Sequence, residues 1–154
     1  MNDINKLYNI WLSSATADKD LIPELESVKG DDEAILDRFY KNLEFGTAGL
    51  RGVIGAGTNR MNVYTVNQAT QGLADYLNEC FESPSVAIAY DSRIKSKEFA
   101  ESAAGVLAAN GIKVYIYPEL VPTPMLSFAA CIAASCSLLI LMGQKRKQLS
   151  ATAS

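Results

Sequence analysis

The chain has 154 residues, of which 49% are hydrophobic and 20% charged, and its formal net charge is −3. This length and composition predict one globular domain with a sizeable core, and they exclude an intrinsically disordered chain. The sequence contains no histidine, which excludes histidine-based catalysis, Ser-His triads and zinc sites built on histidine.

The charges are unevenly distributed along the chain. Up to Glu119 there are 11 basic and 17 acidic residues, whereas from Leu120 onward there are 3 basic residues and no acidic ones. An acidic body predicts that nucleic acid is not a partner.

The cysteines and the N-terminus predict a cytoplasmic protein. Cys80, Cys131 and Cys136 show no CxxC spacing, which is typical of reduced thiols in a core. The first eight residues are polar and no early apolar run follows them, so we expect no secretory signal.

The first 44 residues are predicted to form a helical segment. Apolar side chains at helical spacing predict an amphipathic helix over 3–14, and an acidic stretch with Pro23 predicts a short helical turn and loop over 18–29. The acidic residues 31–33 then begin a helix, because negative charge in the first turn favours the helix dipole. Helix charge explains these acids better than a metal site does. This helix should run to about residue 43 and bury Ile35, Leu36, Phe39 and Leu43.

Residues 45–57 hold five of the ten glycines. We expect a strand-like core over 50–54, with open backbone and the side chains of Thr47 and Arg51 arranged to bind an anion such as phosphate. A glycine-rich hairpin or edge strand with a solvent-facing Arg51 is an equally good interpretation.

Helices and strands alternate after this stretch. Asn62 or Thr65 can cap a long helix to about Phe81, and the apolar run 86–90 predicts a strand buried on both faces. A helix from Ser96 ends at the Asn110-Gly111 pair, where glycine supplies a left-handed cap. Two more strands are expected, a buried one at 112–117 and another at 138–142. The apolar positions of the long helix should be Val66, Ala69, Leu73, Tyr76 and Leu77.

This order predicts an α/β fold, a three-layer α/β/α domain with a mainly parallel, mixed sheet. Ligands of such sheets bind outside the carboxyl ends of the strands. Asp91-Ser92-Arg93 and the proline-rich loop 118–124, whose Pro124 can begin a helix, lie at two such ends. Arg93 could bind an anion while Asp91 orients it, or Asp91 could cap a turn and pair with Arg93.

The end of the chain differs in composition. Residues 128–142 carry no charge, but the run is too short for a bilayer span, so a buried helix–strand pair is expected. Lys145, Arg146 and Lys147 are interpreted as part of a solvated basic tail over 143–154.

Three motifs carry a resemblance to a known family. FGTAGLRG at 45–52, AYDSR at 89–93 and VPTPMLSFA at 121–129 closely resemble the first domain of the α-D-phosphohexomutases. The resemblance covers about residues 1–129 and is nearest to the bacterial phosphoglucomutase/phosphomannomutase branch with phosphopentomutase-like members.

The resemblance implies a four-domain enzyme that moves a phosphoryl group between sugar hydroxyls. It also implies a phosphoserine, Mg²⁺ and a glucose 1,6-bisphosphate type of intermediate or activator. By the same resemblance, Thr47, Arg51 and Arg93 bind substrate phosphate at the cleft. A sugar phosphate is the expected ligand, and a membrane is not expected to be a partner.

The sequence departs from the family after about residue 129. The family carries its nucleophile in a Thr-Ala-Ser-His-Asn-Pro loop after the third strand, where this chain has Gly-Gln-Lys-Arg-Lys at 143–147. Ser154 closes a Thr-Ala-Ser, which we interpret as a chance match more readily than as a displaced nucleophile. We therefore expect no catalytic residue and no metal ligand here, and a truncated or frame-shifted origin for this end.

The expected organisation is a helical segment at 1–44, an incomplete domain I at 45–142 and a tail at 143–154. The favoured function is that of the N-terminal domain of a sugar-phosphate mutase, an isomerase acting by intramolecular phosphotransfer, which is inactive alone. The alternative is a non-catalytic binding or regulatory module that pairs with a mutase or with its separately encoded domains. A nucleotide-binding module is disfavoured, since the sequence has neither a GxGxxG in a βαβ unit nor a Walker lysine.

Overall fold

The computed structural model describes residues 2–46, 49–90, 92–119 and 136–141. The helices are α1 (Asn2–Ser14), α2 (Leu21–Ser27), α3 (Asp32–Phe39), α4 (Val63–Cys80) and α5 (Ser96–Ala109). The strands are β1 (Phe45–Gly46), β2 (Gly49–Leu50), β3 (Ser85–Tyr90), β4 (Lys113–Ile116) and β5 (Cys136–Leu141). No described helix is long and apolar enough to span a membrane.

Strand β3 is the centre of a three-stranded parallel sheet with the order β4-β3-β5. Ser85 pairs with Lys113 on one side and with Cys136 on the other. Helix α5 connects β3 to β4, as a parallel crossover requires. The prediction of an α/β fold with a parallel sheet is therefore confirmed, and β5 confirms the strand expected near 138–142.

The main core packs β3 against α4 and α5. Val86 and Ile88 are fully buried, and Phe99 and Leu107 of α5 fill the space above the sheet. A strand covered on both faces can be apolar at every position. The prediction that residues 86–90 form such a strand is confirmed.

The N-terminal helices form a second core of their own. Tyr8, Leu25 and Phe39 are buried there, and the Trp11 ring contacts both Phe39 and Tyr64 edge-to-face. Tyr64 belongs to α4 and packs against both cores. This side chain therefore joins the helical segment to the α/β part.

Helix α3 begins where the sequence predicts and ends earlier. The Asp31 carboxylate accepts a hydrogen bond from the Ala34 amide at 3.0 Å, which confirms the acids as N-terminal helix charge. The expected end near Leu43 is wrong, because the helix ends at Phe39. The amide of Leu43 instead donates to the Thr58 carbonyl at 2.8 Å, and its side chain packs against the main core. Leu36, expected to be buried, is 47% exposed.

Two further burial expectations are wrong. Strand β4 leaves Tyr115 49% and Ile116 41% exposed, because within the described residues β4 pairs only with β3. In α4, Tyr76 is 59% exposed, while Thr70 and Ala74 point into the core in its place. Helical spacing alone is compatible with burial of either face of α4, the one with Tyr76 or the one with Thr70 and Ala74.

The predicted helix caps are confirmed. Asn62 is the N-cap of α4 and Thr65 completes a capping box. Helix α5 ends before Asn110 and Gly111, and Gly111 has φ +76°. Residues 120–135, with the predicted loop prolines and helix, and the tail after residue 141 lie outside the described residues.

Candidate functional site

The glycine-rich stretch folds as a short hairpin and not as a strand over 50–54. Phe45 pairs with Leu50 in an antiparallel ladder that ends at Leu50. Arg51 follows directly and is exposed to solvent. The observed backbone matches the hairpin alternative. Thr47 belongs to the connection between β1 and β2 and lies outside the described residues.

Residues after Arg51 are held by the segment that leads into α4. The Met61 amide donates to the Val53 carbonyl at 2.8 Å, and the Gly55 amide donates to the Met61 carbonyl at 3.2 Å. The buried side-chain amide of Asn62 donates to the carbonyls of Gly55 and Gly57, each at 2.9 Å. The backbone that carries Arg51 is therefore fixed from the start of α4.

Gly57 shows why glycine is required in this segment. Its φ is +127°, and a Cβ atom there would lie 2.6 Å from the backbone carbonyl oxygen of Arg38. Only glycine allows this conformation and this approach. The close contact seats the segment against the end of α3.

Arg51 lines a surface depression of about 400 Å³ with two other basic side chains, Lys41 and Arg60. Arg60 is 9% exposed, and its guanidinium donates to the carbonyl and carboxylate of Asp37. Its buried Nε has no hydrogen-bond partner among the described residues. Glu44 also lines the depression and forms a 3.8 Å ion pair with Lys41. The remaining positive charge suits an anion.

Arg93 lines a second depression of about 610 Å³ at the carboxyl ends of β3 and β4. Ser92 and Lys97 add two further donors, whereas Glu98 and Glu119 add negative charge at the rim. The Tyr90 hydroxyl donates to the Pro118 carbonyl at 3.2 Å and closes one side. Asp91, expected to orient Arg93 or to cap a turn, lies outside the described residues.

The two arginines line different depressions, and a third hollow lies beside their segments. Ile54 and Gly55, soon after Arg51, line this hollow of about 660 Å³ together with Ile94 and Lys95, which follow Arg93. The structure therefore brings the two arginine-bearing segments to neighbouring walls of one hollow.

Lys95 is held by two acidic residues of the N-terminal segment. Its ammonium group pairs with the Asp18 carboxylate and lies 2.9 Å from the Asp20 carboxylate. Burial by itself lowers the pKa of Lys95, but the hydrogen bonds and charges of Asp18 and Asp20 outweigh it, so the pKa lies above its usual 10.5.

The sequence did not single out several of these residues. The fold brings Lys41 and Arg60 into the depression lined by Arg51, and it brings Lys97 into the depression lined by Arg93. No motif spacing in the sequence marks Lys41 or Arg60. Lys97 lies in the first turn of α5, just after Arg93. Its closeness to Arg93 in the sequence could have marked it as a candidate site residue. The Lys95 ion pairs join residues more than 70 positions apart, which no local pattern reveals.

No three His, Cys, Asp or Glu side chains lie together as a possible metal site within 3–44, 50–90 and 92–119, where side chains are described. These described side chains therefore offer no ligand set for the Mg²⁺ that the resemblance implies.

The fold and these depressions define an α/β domain with exposed basic side chains at the carboxyl edge of a parallel sheet. The sequence model of the phosphoglucomutase/phosphomannomutase family, alpha/beta/alpha domain I, matches residues 42–141. The chain belongs to this family.

Curated relatives match the same part of the chain. A phosphoglucomutase of Staphylococcus haemolyticus is 45% identical over 91 residues, which are 59% of this chain and 17% of the relative. One of Staphylococcus epidermidis strain RP62A is 41% identical over 111 residues, or 64% and 20%. One of Staphylococcus aureus strain USA300 is 47% identical over 91 residues, or 59% and 16%. The matched region thus spans at most a fifth of each of these relatives. No solved structure gives a significant match.

Proposed function

We propose that the chain acts as domain I of a sugar-phosphate mutase, where it binds the phosphate of the substrate through Thr47, Arg51 and Arg93. The observation that carries the proposal is the position of Arg93 in an open depression at the carboxyl ends of β3 and β4, where ligands of parallel sheets bind. Family membership gives the class of ligand, a sugar phosphate.

The chemistry of phosphoryl transfer explains why arginines would be needed there. The transferring group carries negative charge on its oxygens, and enzymes lower the barrier mainly by positioning it and neutralising that charge. A guanidinium group can donate two parallel hydrogen bonds to a phosphate. Two pairs of basic side chains could neutralise this charge: Arg93 with Lys97 in one depression, and Arg51 with Lys41 in the other.

The 154-residue polypeptide alone is proposed to be inactive, because the matched part accounts for at most a fifth of relatives such as the Staphylococcus haemolyticus phosphoglucomutase. By resemblance to the family, we propose that the full enzyme uses Mg²⁺ and a glucose 1,6-bisphosphate activator. We also propose a cytoplasmic location and a division of the chain into a segment at 1–44, a domain at 45–142 and a tail at 143–154.

A binding experiment tests the phosphate site directly. Titration of the chain with glucose 1-phosphate, followed by NMR of the arginine side chains, should move the Arg51 and Arg93 signals. Arg93→Gln and Arg51→Gln should each weaken binding by about tenfold. Lys113→Gln removes one positive charge at the amino end of β4 and serves as the control. Equal weakening by all three variants would show that only net charge matters.

A second experiment separates the mutase domain from a regulatory module. The polypeptide is mixed with the remaining domains of a relative, glucose 1-phosphate, glucose 1,6-bisphosphate and Mg²⁺, and turnover is followed. Because the chain lacks the family's serine loop, we expect no turnover from this mixture, and that result supports an inactive mutase domain. Turnover that depends on this chain supports a module that pairs with separately encoded mutase domains. A change in the rate of an intact mutase, without complementation, supports the regulatory alternative.

A further inference from the structure

Lys95 has an unusual backbone conformation next to the proposed site. Its φ is +60° and its ψ is +11°, and among the described residues no other non-glycine residue has a positive φ. The left-handed region brings the Cβ atom of an L-residue too close to the following carbonyl oxygen, and glycine or asparagine usually occupies it. Something other than backbone preference therefore holds Lys95 in place.

The lysine closes a tight turn that begins at Arg93. The Ser96 amide donates to the Arg93 carbonyl at 3.1 Å, and the Phe99 amide donates to the Lys95 carbonyl at 3.0 Å. The third position of such a turn normally takes glycine when φ is positive. The conformation of Lys95 therefore sets the direction in which the chain leaves Arg93 and enters α5.

The side chain of Lys95 reaches away from α5 to the N-terminal segment. Its side chain is 17% exposed, and that of its partner Asp18 is 13% exposed, so the ion pair is largely shielded from water. Asp20 adds a second carboxylate at 2.9 Å. Shielded, hydrogen-bonded pairs of this kind hold their geometry better than surface pairs do.

We propose that Lys95 is a positioning residue, through which the docked N-terminal segment fixes the turn that presents Arg93 to phosphate. This inference rests on the proposed function of Arg93. It assigns the loop between α1 and α2, which carries Asp18 and Asp20, a part in shaping the binding site. The loop itself contributes no ligand.

The contacts of Tyr64 supply a matched control for docking. Its hydroxyl accepts a hydrogen bond from the Ala17 amide at 3.0 Å and donates to the Ser14 carbonyl at 3.2 Å. Tyr64→Phe removes these bonds between the N-terminal segment and α4 and keeps the ring beside Trp11. It therefore weakens docking without touching the turn from Arg93 to Ser96.

The experiment uses the full chain, ¹⁵N NMR and inorganic phosphate as the probe. The variants are Lys95→Met, the double variant Asp18→Asn with Asp20→Asn, the triple combination, and Tyr64→Phe. Asparagine at position 18 keeps a side-chain oxygen that can accept the hydrogen bond from the backbone amide of residue 20, which lies 3.1 Å from Asp18 Oδ1. Two quantities are measured: hydrogen exchange of the Ser96 amide, and the phosphate dependence of the Arg93 Nε signal.

Lys95→Met should speed Ser96 exchange about tenfold and weaken phosphate binding several-fold, since the turn loses its anchor. The double aspartate variant should match it. The triple variant should be no worse than either, because all three changes break one interaction. Tyr64→Phe keeps the ion pairs of Lys95 with Asp18 and Asp20 and should therefore change both quantities less than Lys95→Met does.

Other outcomes would overturn the inference. Unchanged Ser96 exchange in Lys95→Met would show that the ion pairs do not hold the turn. Faster Ser96 exchange with unchanged phosphate affinity in Lys95→Met would show that Lys95 does not position Arg93. If Tyr64→Phe had effects as large as those of Lys95→Met, general docking of the N-terminal segment would explain the results instead. If phosphate leaves Arg93 unaffected in the unchanged chain, the proposed function fails, and Ser96 exchange still decides whether Lys95 holds the turn.

Discussion

Asn62 and Thr65 hydrogen-bond each other reciprocally at the start of α4. The Thr65 amide donates to Asn62 Oδ1 at 3.1 Å, and the Asn62 amide donates to Thr65 Oγ1 at 3.0 Å. The Asn62 side chain is buried and also donates to three carbonyls of the preceding segment. One side chain thus caps the helix and fixes the segment that follows Arg51.

The double role of Asn62 can be separated by substitution. Asn62→Ala should lower the free energy of unfolding by about 2–3 kcal/mol, because it removes the cap and leaves buried carbonyls without donors. Asn62→Ser keeps a capping oxygen and should cost about 1 kcal/mol less. Urea denaturation measures both. Equal losses would mean that the cap contributes nothing to stability.

Gly57 and Gly72 should respond to alanine in opposite ways. Gly57→Ala should destabilise the domain by about 2 kcal/mol or more, since φ is +127° and the Arg38 carbonyl blocks the new methyl group. Gly72 is an exposed residue of α4, and a Cβ atom added there would meet nothing within 4 Å, so Gly72→Ala should stabilise by about 0.5–1 kcal/mol. Thermal unfolding would measure both, and a stabilising effect at position 57 would contradict the observed backbone.

Ile88 and Ile116 face each other in the β3–β4 register and differ in burial. Ile88 is fully buried, whereas Ile116 is 41% exposed. Ile88→Ala should cost about 2–5 kcal/mol through lost burial and a cavity, and Ile116→Ala should cost less than about 1 kcal/mol. The comparison holds residue type and strand pairing constant. Similar losses in urea denaturation would show that β4 is covered in solution.

The Lys95 ion pairs should make stability depend on alkaline pH. The pKa of Lys95 lies above 10.5 in the folded protein. Its contribution is therefore complete below pH 10.5 and is lost as pH rises through the folded value. The difference in unfolding free energy between the unchanged chain and Lys95→Met should stay constant at neutral pH and shrink above about pH 10.5. A difference that persists at about pH 12 would assign the effect to packing of the lysine stem.

The parts of the fold that depend on local patterns could be predicted from the sequence. The apolar run ending at Tyr90 indicated the central strand, and Asn62 and Gly111 indicated helix ends, because caps and buried runs leave marks within a few residues. The exposure of Tyr115 and Tyr76 could not be predicted in this way. It depends on which strand lies at an edge and on which stripe of α4 meets the sheet.

The residues of the candidate site also differ in whether a local sequence pattern marks them. Arg51 and Arg93 stand in motifs and could be named from the sequence, whereas their neighbours Lys41, Arg60 and Lys97 are assembled by the fold. The ion pairs of Lys95 lie furthest from prediction, because Asp18 is on a different structural segment. A side chain that acts across two segments has no signature in either one.

The position of β3 between two later strands has a consequence for how the chain is made. Strands β3 and β4 with the intervening α5 form a compact unit from residues 85 to 116, whereas the other edge of β3 pairs with β5, which begins at Cys136. Contacts between distant residues form more slowly, because a longer loop must close first. During synthesis, β3 therefore emerges with its second edge unpaired. That edge is open to wrong partners until β5 has left the ribosome.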